Sequence, residues 1–115
     1  MTVEKLKQYR FLKKEIVDIQ YKLDNINNYS GIDYDKIGAA ENLEKILQDR
    51  LITAQALLAD IESWLDSVDD SYIRQCIDYH YIRGYSWRAT SKKLTGARVD
   101  GVVLSNMITR FLKNF

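Results

Sequence analysis

Apolar residues recur at spacings of three and four along much of the chain, which is the pattern of amphipathic helices. One narrow apolar stripe of this kind, which we call a seam, runs over residues 3–24, and a second runs over residues 39–65. Both have a heptad-like spacing. Two long helices with matching seams and a short connection are expected to fold back as an antiparallel pair. The seam positions are Leu6, Tyr9, Leu12, Ile16, Ile19 and Leu23 in the first helix and Leu43, Leu47, Leu51, Ala54, Leu58, Ile61 and Leu65 in the second.

The segment from Asn25 to Gly38 separates the two seams. It contains three asparagines, two glycines and a serine, which favour turns, and it keeps no clear period. We predict a loop here, with apolar side chains that cover the end of the hairpin; a loop that binds a partner is the alternative. The side chains in question are those of Tyr29, Ile32, Tyr34 and Ile37.

The apolar stripe of the second helix is wider than a two-helix seam requires, because Ile46, Leu57 and Trp64 flank it. A hairpin alone cannot bury such a stripe on both helices. We therefore expect packing against the C-terminal part of the chain or self-association as a dimer. An elongated core within one chain is the simpler alternative.

The last third of the chain predicts a helix, a tight glycine turn and a short second helix over residues 72–96. A third amphipathic helix is expected from about Val99 to Asn114. This is the layout of a helix-turn-helix DNA-binding unit. Ser67 or Asp69 is expected to cap its first helix, and Gly84 to end that helix in a left-handed conformation.

Ser86 is expected to cap the next helix, from Trp87 to about Leu94, and Asp100 to cap the last one. The expected buried positions are Trp87, Thr90, Ser91 and Leu94 on the former and Val103 or Leu104, Met107, Ile108, Phe111, Leu112 and Phe115 on the latter. The other face of the last helix carries Gly101, Val102, Ser105, Asn106, Thr109, Arg110 and Lys113.

These elements predict an all-α fold. A long antiparallel helical hairpin over residues 1–66 is followed by a three-helix helix-turn-helix domain over residues 67–115. The chain contains no proline, so nothing forbids long helices. Apolar residues make up 46% of the chain, which is ordinary for a globular protein.

Charge is distributed unevenly along the chain, although its net value is only +1. Residues 1–66 hold nine Lys/Arg and twelve Asp/Glu, whereas residues 67–115 hold eight Lys/Arg and four Asp. Six of those eight cations lie in residues 86–115 beside a single acid, Asp100. A local anion-binding face is the interpretation that we favour; a solvated helix surface is the alternative.

No arrangement of side chains in the sequence suggests catalysis, a metal site or a cofactor. Cys76 and His80 are each the only residue of their type, and the paired aspartates at 33 and 35 and at 69 and 70 suit turns and caps. We expect no enzyme. The first ten residues have no apolar segment and no run could span a bilayer, so we expect no membrane association and a location in the cytoplasm.

The segment YHYIRGYSWRATSKKLTG, followed by a helix that ends TRFLKN, resembles the helix-turn-helix of sigma-factor region four. It resembles more closely the C-terminal half of small phage and prophage transcriptional regulators of the RinA/ArpU-like group. The matching residues are Tyr81, Ile82, Gly84, Ser86, Trp87, Lys93, Leu94, Arg110, Phe111, Leu112 and Lys113. Three departures stand out: His80 where an arginine is common, Thr90-Ser91 in place of an aliphatic residue and alanine, and a turn at 95–100 about one residue longer.

The resemblance implies a sequence-specific, double-stranded-DNA-binding regulator whose recognition helix lies at about 99–114. Candidate contacts to bases or phosphates are Arg98, Ser105, Asn106, Thr109 and Arg110, and candidate backbone-positioning residues are Arg88, Lys92, Lys93 and Lys113. A dimer would set the spacing of half-sites. The alternative is a helical interaction module that binds RNA polymerase or another host or phage protein, with the motif as scaffold. A phage packaging or assembly subunit is a third possibility.

Overall fold

The computed structural model describes the backbone of residues 1–26 and 34–114 and the side chains of residues 1–26 and 38–114. Every regular element in these ranges is helical, which confirms the predicted all-α class. The helices are α1 (Val3–Asp24), α2 (Tyr34–Asp66), α3 (Ser71–Ile77), α4 (Trp87–Thr95) and α5 (Gly101–Lys113), and a π-helical turn, Asp78–Ile82, continues α3.

The chain divides into two compact units. The hairpin unit is Leu12–Leu58, and the helix-turn-helix unit comprises Met1–Phe11 together with Ala59–Phe115. The first turns of α1 and the last turns of α2 therefore belong to the same unit as α3, α4 and α5. These bounds differ from the division after residue 66 that the sequence suggested, since long helices can contribute to two cores at once.

In the hairpin unit, α1 and α2 run antiparallel. Ile19 and Ile26 near the end of α1 pack with Leu47 near the start of α2, and Leu23 and Leu51 cover this cluster. Burial follows the predicted seams closely, with the exception of Leu43, whose side chain is 43% exposed. The hairpin unit thus has a narrow core of the kind that its heptad-like pattern specifies.

Helix α2 begins at Tyr34, five residues before the predicted start at Ala39. Turn-forming residues such as Gly38 lie within its first turns, because a helix that is held by tertiary packing tolerates them at modest cost. The expectation that Tyr29, Ile32, Tyr34 and Ile37 cover the end of the hairpin concerns side chains outside the described residues, as does that for Phe115.

The helix-turn-helix unit has a larger core. Leu6 of α1, Ile77 of α3 and Leu104 and Ile108 of α5 are all completely buried in it. Tyr9 is also buried, and its hydroxyl donates a 2.6 Å hydrogen bond to the Glu62 carboxylate on α2. The first turns of α1 are thereby tied to the last turns of α2 by both apolar contact and a polar bond.

Asp70 caps α3, whereas the sequence suggested Ser67 or Asp69. Its carboxylate accepts hydrogen bonds from the backbone N–H groups of Tyr72 and Ile73 at 2.9 and 3.1 Å. Ser67 instead closes the preceding helix, since its hydroxyl donates to the carbonyl of Trp64. Several neighbouring Ser and Asp residues can serve as caps, and the packing of Val68, which is buried, decides among them.

The π-helical turn at Asp78–Ile82 replaces the last turn of what the sequence predicted as one α-helix. The backbone N–H of Arg83 donates to the carbonyl of Asp78, five residues earlier, at 2.9 Å. The Arg83 guanidinium also pairs with the Asp78 carboxylate at 2.9 Å and lies 4.5 Å from the centroid of the Tyr79 ring. Side chains five residues apart lie closer together in a π turn than in an α-helix, so this ion pair is compatible with the wider register.

Gly84 follows the π turn with φ +82°, the left-handed conformation that was predicted for it. The guanidinium of Arg10 on α1 lies against the glycine, and a Cβ here would displace it. Because that guanidinium is the end of a flexible side chain, the positive φ rather than the contact is the main requirement for glycine.

We expect Gly84→Ala to destabilise the protein by about 1–2 kcal/mol, because alanine is strained at positive φ and its methyl group would displace Arg10. Urea unfolding followed by circular dichroism measures the change. The control is Gly38→Ala in α2, where a Cβ meets nothing within 4 Å; this change should stabilise by about 0.5–1 kcal/mol. Equal effects of the two substitutions would contradict the special role of Gly84.

Candidate nucleic-acid interface

Helix α4 begins on a rigid platform of aromatic rings. Trp87, its first residue, stacks on the His80 ring with centroids 3.7 Å apart and meets the edge of Tyr81 at 5.8 Å. His80 Nδ1 donates to the backbone carbonyl of Tyr85 at 2.7 Å. Ser86 caps the helix as predicted, its hydroxyl accepting from Ala89 N–H at 3.1 Å. The residue that departs from the phage-regulator pattern, His80, is thus the one that holds the turn.

The turn from α4 to α5 is held by hydroxyl groups. Ser91 of α4 donates to the carbonyl of Val99, and the Thr95 hydroxyl accepts a 3.3 Å bond from Val99 N–H. Gly96 has φ +63°, and Ala97 follows it with φ +68°. These two successive left-handed residues turn the chain out of α4, and Ser91 anchors the far end of the turn.

Helix α5 starts in close contact with the backbone of α4. A Cβ on Gly101 would lie 3.0 Å from both Arg88 N and Trp87 C. Asp100 caps α5 as predicted, accepting from Val102 N–H at 2.9 Å. The sequence placed Gly101 on the outer face of α5, but its lack of a side chain is what lets the two helices approach.

Burial on α5 follows a single stripe of Leu104, Ile108 and Leu112, with Met107 and Phe111 half-buried beside it. Val103, offered as an alternative to Leu104 in this stripe, is 57% exposed. The sequence could not decide between Val103 and Leu104 because both fit the helical period. The close contact at Gly101 decides it, since this contact fixes the rotation of α5 about its axis.

The nine candidate contact residues fall into two groups. Seven are exposed: Arg88, Lys92, Lys93, Arg98, Asn106, Arg110 and Lys113. Ser105 and Thr109 are half-buried on the flank of α5, and the Thr109 hydroxyl donates to the Ser105 carbonyl at 2.9 Å. Thr109 also lines a groove with Met1 and Thr2 before α1. These two side chains lie away from the centre of the exposed face.

Among the exposed residues, Asn106 and Arg110 are one turn apart at the centre of the outer face of α5, with Lys113 beside them. On α4, Arg88 and Lys92 are likewise one turn apart, while Lys93 is about 140° around the helix from Arg88. Arg88 lines a cavity of about 400 Å³ with Gly101 and Val102 of α5. One flank of α4 therefore borders the start of α5, and Lys93 lies on the other.

The cations of this region lack acidic partners within the described residues. The ion pair found there, Arg83–Asp78, lies in the π turn. Asp100, the single acid of residues 86–115, uses a carboxylate oxygen to cap α5. The face formed by α4, the turn and α5 is accordingly a positive surface whose charges are available to an anionic ligand.

The sequence placed Val102 on the outer face of α5, but the seam pattern alone could not decide whether Val103 or Leu104 faces outward beside it. Val102 and Val103, in the first turn of α5, are 68% and 57% exposed. They lie next to the polar residues proposed to contact bases. The sequence signal for this exposure is the run of three apolar residues, Val102, Val103 and Leu104, because the buried stripe needs only one of them.

Groups with reactive side chains elsewhere are structural. Cys76 is completely buried, and burial raises the pKa of its thiol to about 11. No cluster of His, Cys, Asp and Glu in the described ranges could hold a metal ion. No helix in the described part of the chain combines the length and apolar character needed to cross a bilayer.

The two adjacent hydroxyls of α4 should respond oppositely to removal. The buried Thr90 hydroxyl has no hydrogen-bond partner among the described residues, so Thr90→Val should stabilise by about 1 kcal/mol. Ser91→Ala should destabilise by about 1–2 kcal/mol, because the Val99 carbonyl loses its donor. Urea unfolding measures both; the exposed Thr53→Val on α2 is the control. A stabilising Ser91→Ala would contradict the anchoring role of Ser91.

Stability should also depend on the protonation of His80. Burial lowers the pKa of His80 below its ordinary 6.5, although the bond to Tyr85 opposes the shift and Lys7 adds to it. His80 therefore binds a proton more tightly in the unfolded chain than in the folded one. The stability that neutral His80 contributes is fully present above pH 6.5 and is lost as the pH falls below that value. Urea unfolding at pH 7.5 and 5.5 should show the loss.

His80→Phe keeps a ring beside Trp87 but cannot titrate, so it should reduce the pH dependence in this window. Because His80 is the only histidine, no other histidine can mask the effect. An unchanged pH dependence in the variant would show that other groups cause it.

Comparison with known protein families, with curated proteins and with solved structures finds no match to this chain. The resemblance to the phage regulators therefore rests on the residues quoted above alone.

Proposed function

We propose that the protein is a sequence-specific DNA-binding transcriptional regulator of the phage or prophage type, acting in the cytoplasm of a bacterial host. The observation that carries the proposal is the positive face of α4, the turn and α5, whose cations have no acidic partners among the described residues. Its supports are the two capped helices and the short fixed turn between them, a geometry that presents α5 to the major groove.

In this proposal α5 enters the major groove with its first turns toward the bases. Asn106 suits the N6 and N7 groups of adenine, and Arg110 suits a guanine or a phosphate. Arg88, Lys92 and Arg98 border the start of α5 and would hold phosphates on one side, with Lys113 at the far end. Ser105 and Thr109 would have smaller roles because they are half-buried. Lys93 would reach the DNA backbone only from the flank of α4 that faces away from the start of α5.

A dimer is part of the proposal. In the hairpin unit, Val17, Tyr21 and Ile52 are each more than 60% exposed, and Ile46 is 43% exposed. Apolar side chains of this number on a two-helix unit are typical of helices that associate further. A second copy would bury them and would place two recognition helices on paired half-sites.

A second candidate function is supported by a groove of about 550 Å³ between α3 and α5. Its apolar lining comes from Ile73, Val103, Met107 and Phe111. A groove of this composition suits a helix of another protein, such as RNA polymerase. The helix-turn-helix would then act as a scaffold.

DNA binding should be steeply salt-dependent. With four to six phosphates contacted, the slope of log K against log salt concentration should be roughly −4 to −5. Fluorescence anisotropy with a labelled random duplex at several salt concentrations measures this slope. A slope near zero would refute the proposal.

Arg98→Ala combined with Arg110→Ala should weaken DNA binding about tenfold or more, since two charge contacts are lost. The matched control is Lys14→Ala with Lys45→Ala, which removes the same charge from exposed positions of the hairpin unit and should leave binding nearly unchanged. Equal losses would indicate an effect of net charge alone. A protein partner bound at the α3–α5 groove should still bind the arginine variant.

A further inference from the structure

Val102 and Val103 form a pair of exposed apolar side chains in the folded chain. They occupy the first turn of α5 and are 68% and 57% exposed, while the adjacent Leu104 is completely buried. Valine is a weaker helix former than alanine because its branched side chain is restricted in a helix. Neither helix formation nor core packing therefore accounts for two successive valines here.

The direction of the valine pair is fixed by its neighbours. Gly101, immediately before it, is held against the backbone of Trp87 and Arg88, where a Cβ would lie 3.0 Å from each. The Asp100 cap bonds Val102 N–H at 2.9 Å and fixes the first turn. The two side chains accordingly project from a rigid helix start, which is the part of a recognition helix that meets base edges.

The surroundings of the pair specify the chemistry of what it contacts. Val102 lines a cavity with Arg88, and Val103 lines the neighbouring groove with Asn106 and Arg110. The ligand must therefore present apolar groups to the valines and negative charge to the arginines around them. The major groove of DNA meets both conditions where the 5-methyl groups of thymines project between the two phosphate backbones.

We propose that Val102 and Val103 determine sequence specificity by contacting thymine 5-methyl groups in the DNA site. The proposal rests on the DNA-binding function proposed above. The two positions require thymine because a valine neither donates nor accepts a hydrogen bond, so it gains nothing from the polar edges of guanine or adenine. Asn106, one turn further along, adds an adenine contact, so the half-site is rich in A·T pairs at the start of α5.

The test begins with the full-length protein and a randomised duplex pool, from which bound sequences are selected and sequenced. Each thymine of the selected site is then replaced in turn by deoxyuracil, which pairs identically and lacks only the methyl group. One or two replacements should weaken binding about three- to tenfold, as expected for one buried methyl group. Anisotropy at constant salt measures the change.

The decisive variant is Val102→Ala with Val103→Ala, which shortens the exposed side chains and preserves the helix. It should bind the thymine site about tenfold more weakly, and deoxyuracil should then weaken binding less than twofold. Phe11→Ala, which shortens an exposed apolar side chain of α1 outside the proposed dimer surface, is the control and should respond to deoxyuracil as the wild type does. Circular dichroism verifies the fold of each variant.

The outcomes separate this inference from the function on which it rests. If the wild type selects a site but deoxyuracil affects it and the double variant equally, the methyl contact is refuted and the DNA-binding function stands. A selected site without thymine at the contacted positions refutes it too, and the valines then belong to a protein contact. If no sequence is enriched and binding to duplex DNA does not depend on salt, both proposals fail together.

Discussion

The contact on which the candidate interface depends is that between Gly101 and the backbone of Trp87 and Arg88. Two helices can approach this closely only where one of them lacks a side chain, and the approach fixes the rotation of α5 about its axis. That rotation decides which residues enter the core and which face outward. Leu104 is buried and Val103 exposed for this reason, although both suit the helical period. A small residue at one position thus determines the chemistry of a whole helix face.

The Gly101 contact can orient α5 only because the start of α4 is itself held in place by contacts with the preceding turn. The ring of His80 lies flat on Trp87, and its Nδ1 ties the carbonyl of Tyr85, so the chain enters α4 from a defined direction. Arg10 packs against Gly84 on the other side of the same turn. The first turns of α1 therefore take part in positioning the motif, which explains why they belong to the helix-turn-helix unit rather than to the hairpin unit.

Local signals in the sequence were sufficient for much of this architecture. The seam of α1, the caps at Ser86 and Asp100 and the left-handed Gly84 were predicted correctly, because each depends on residues a few positions apart. Three features were not predicted: the start of α2, the Asp70 cap and the π turn. Each depends on tertiary packing or on competition between neighbouring residues that could serve equally well. DNA binding itself, dimerisation and the family resemblance remain predictions.

The same limit applies to the candidate site. The helical period placed Ser105 and Thr109 among the contact residues, but both are half-buried on the flank of α5. Val102 is exposed as the period predicted, and Val103, which the period left open, is exposed as well. The polar side chains at the outer face are ones that any solvated helix could carry, so they discriminate poorly between functions. Exposed valines become informative only together with their surroundings, since single exposed apolar side chains are ordinary; here the pair lies beside arginines and an asparagine.

Charge sets the orientation in which a polyanion can approach. The helix-turn-helix unit carries eleven Lys/Arg and eight Asp/Glu, and the hairpin unit carries six and eight. The net charge is therefore −2 for the hairpin unit and +3 for the helix-turn-helix unit, and the one acid among residues 86–115, Asp100, is engaged in capping α5. If the protein binds DNA as proposed, this distribution favours approach of the phosphates to the face around α5. Long-range attraction of this kind gives no sequence preference. In the proposed function, the preference comes instead from the first turns of α5, where Val102 lies beside Arg88 and Val103 beside Asn106 and Arg110.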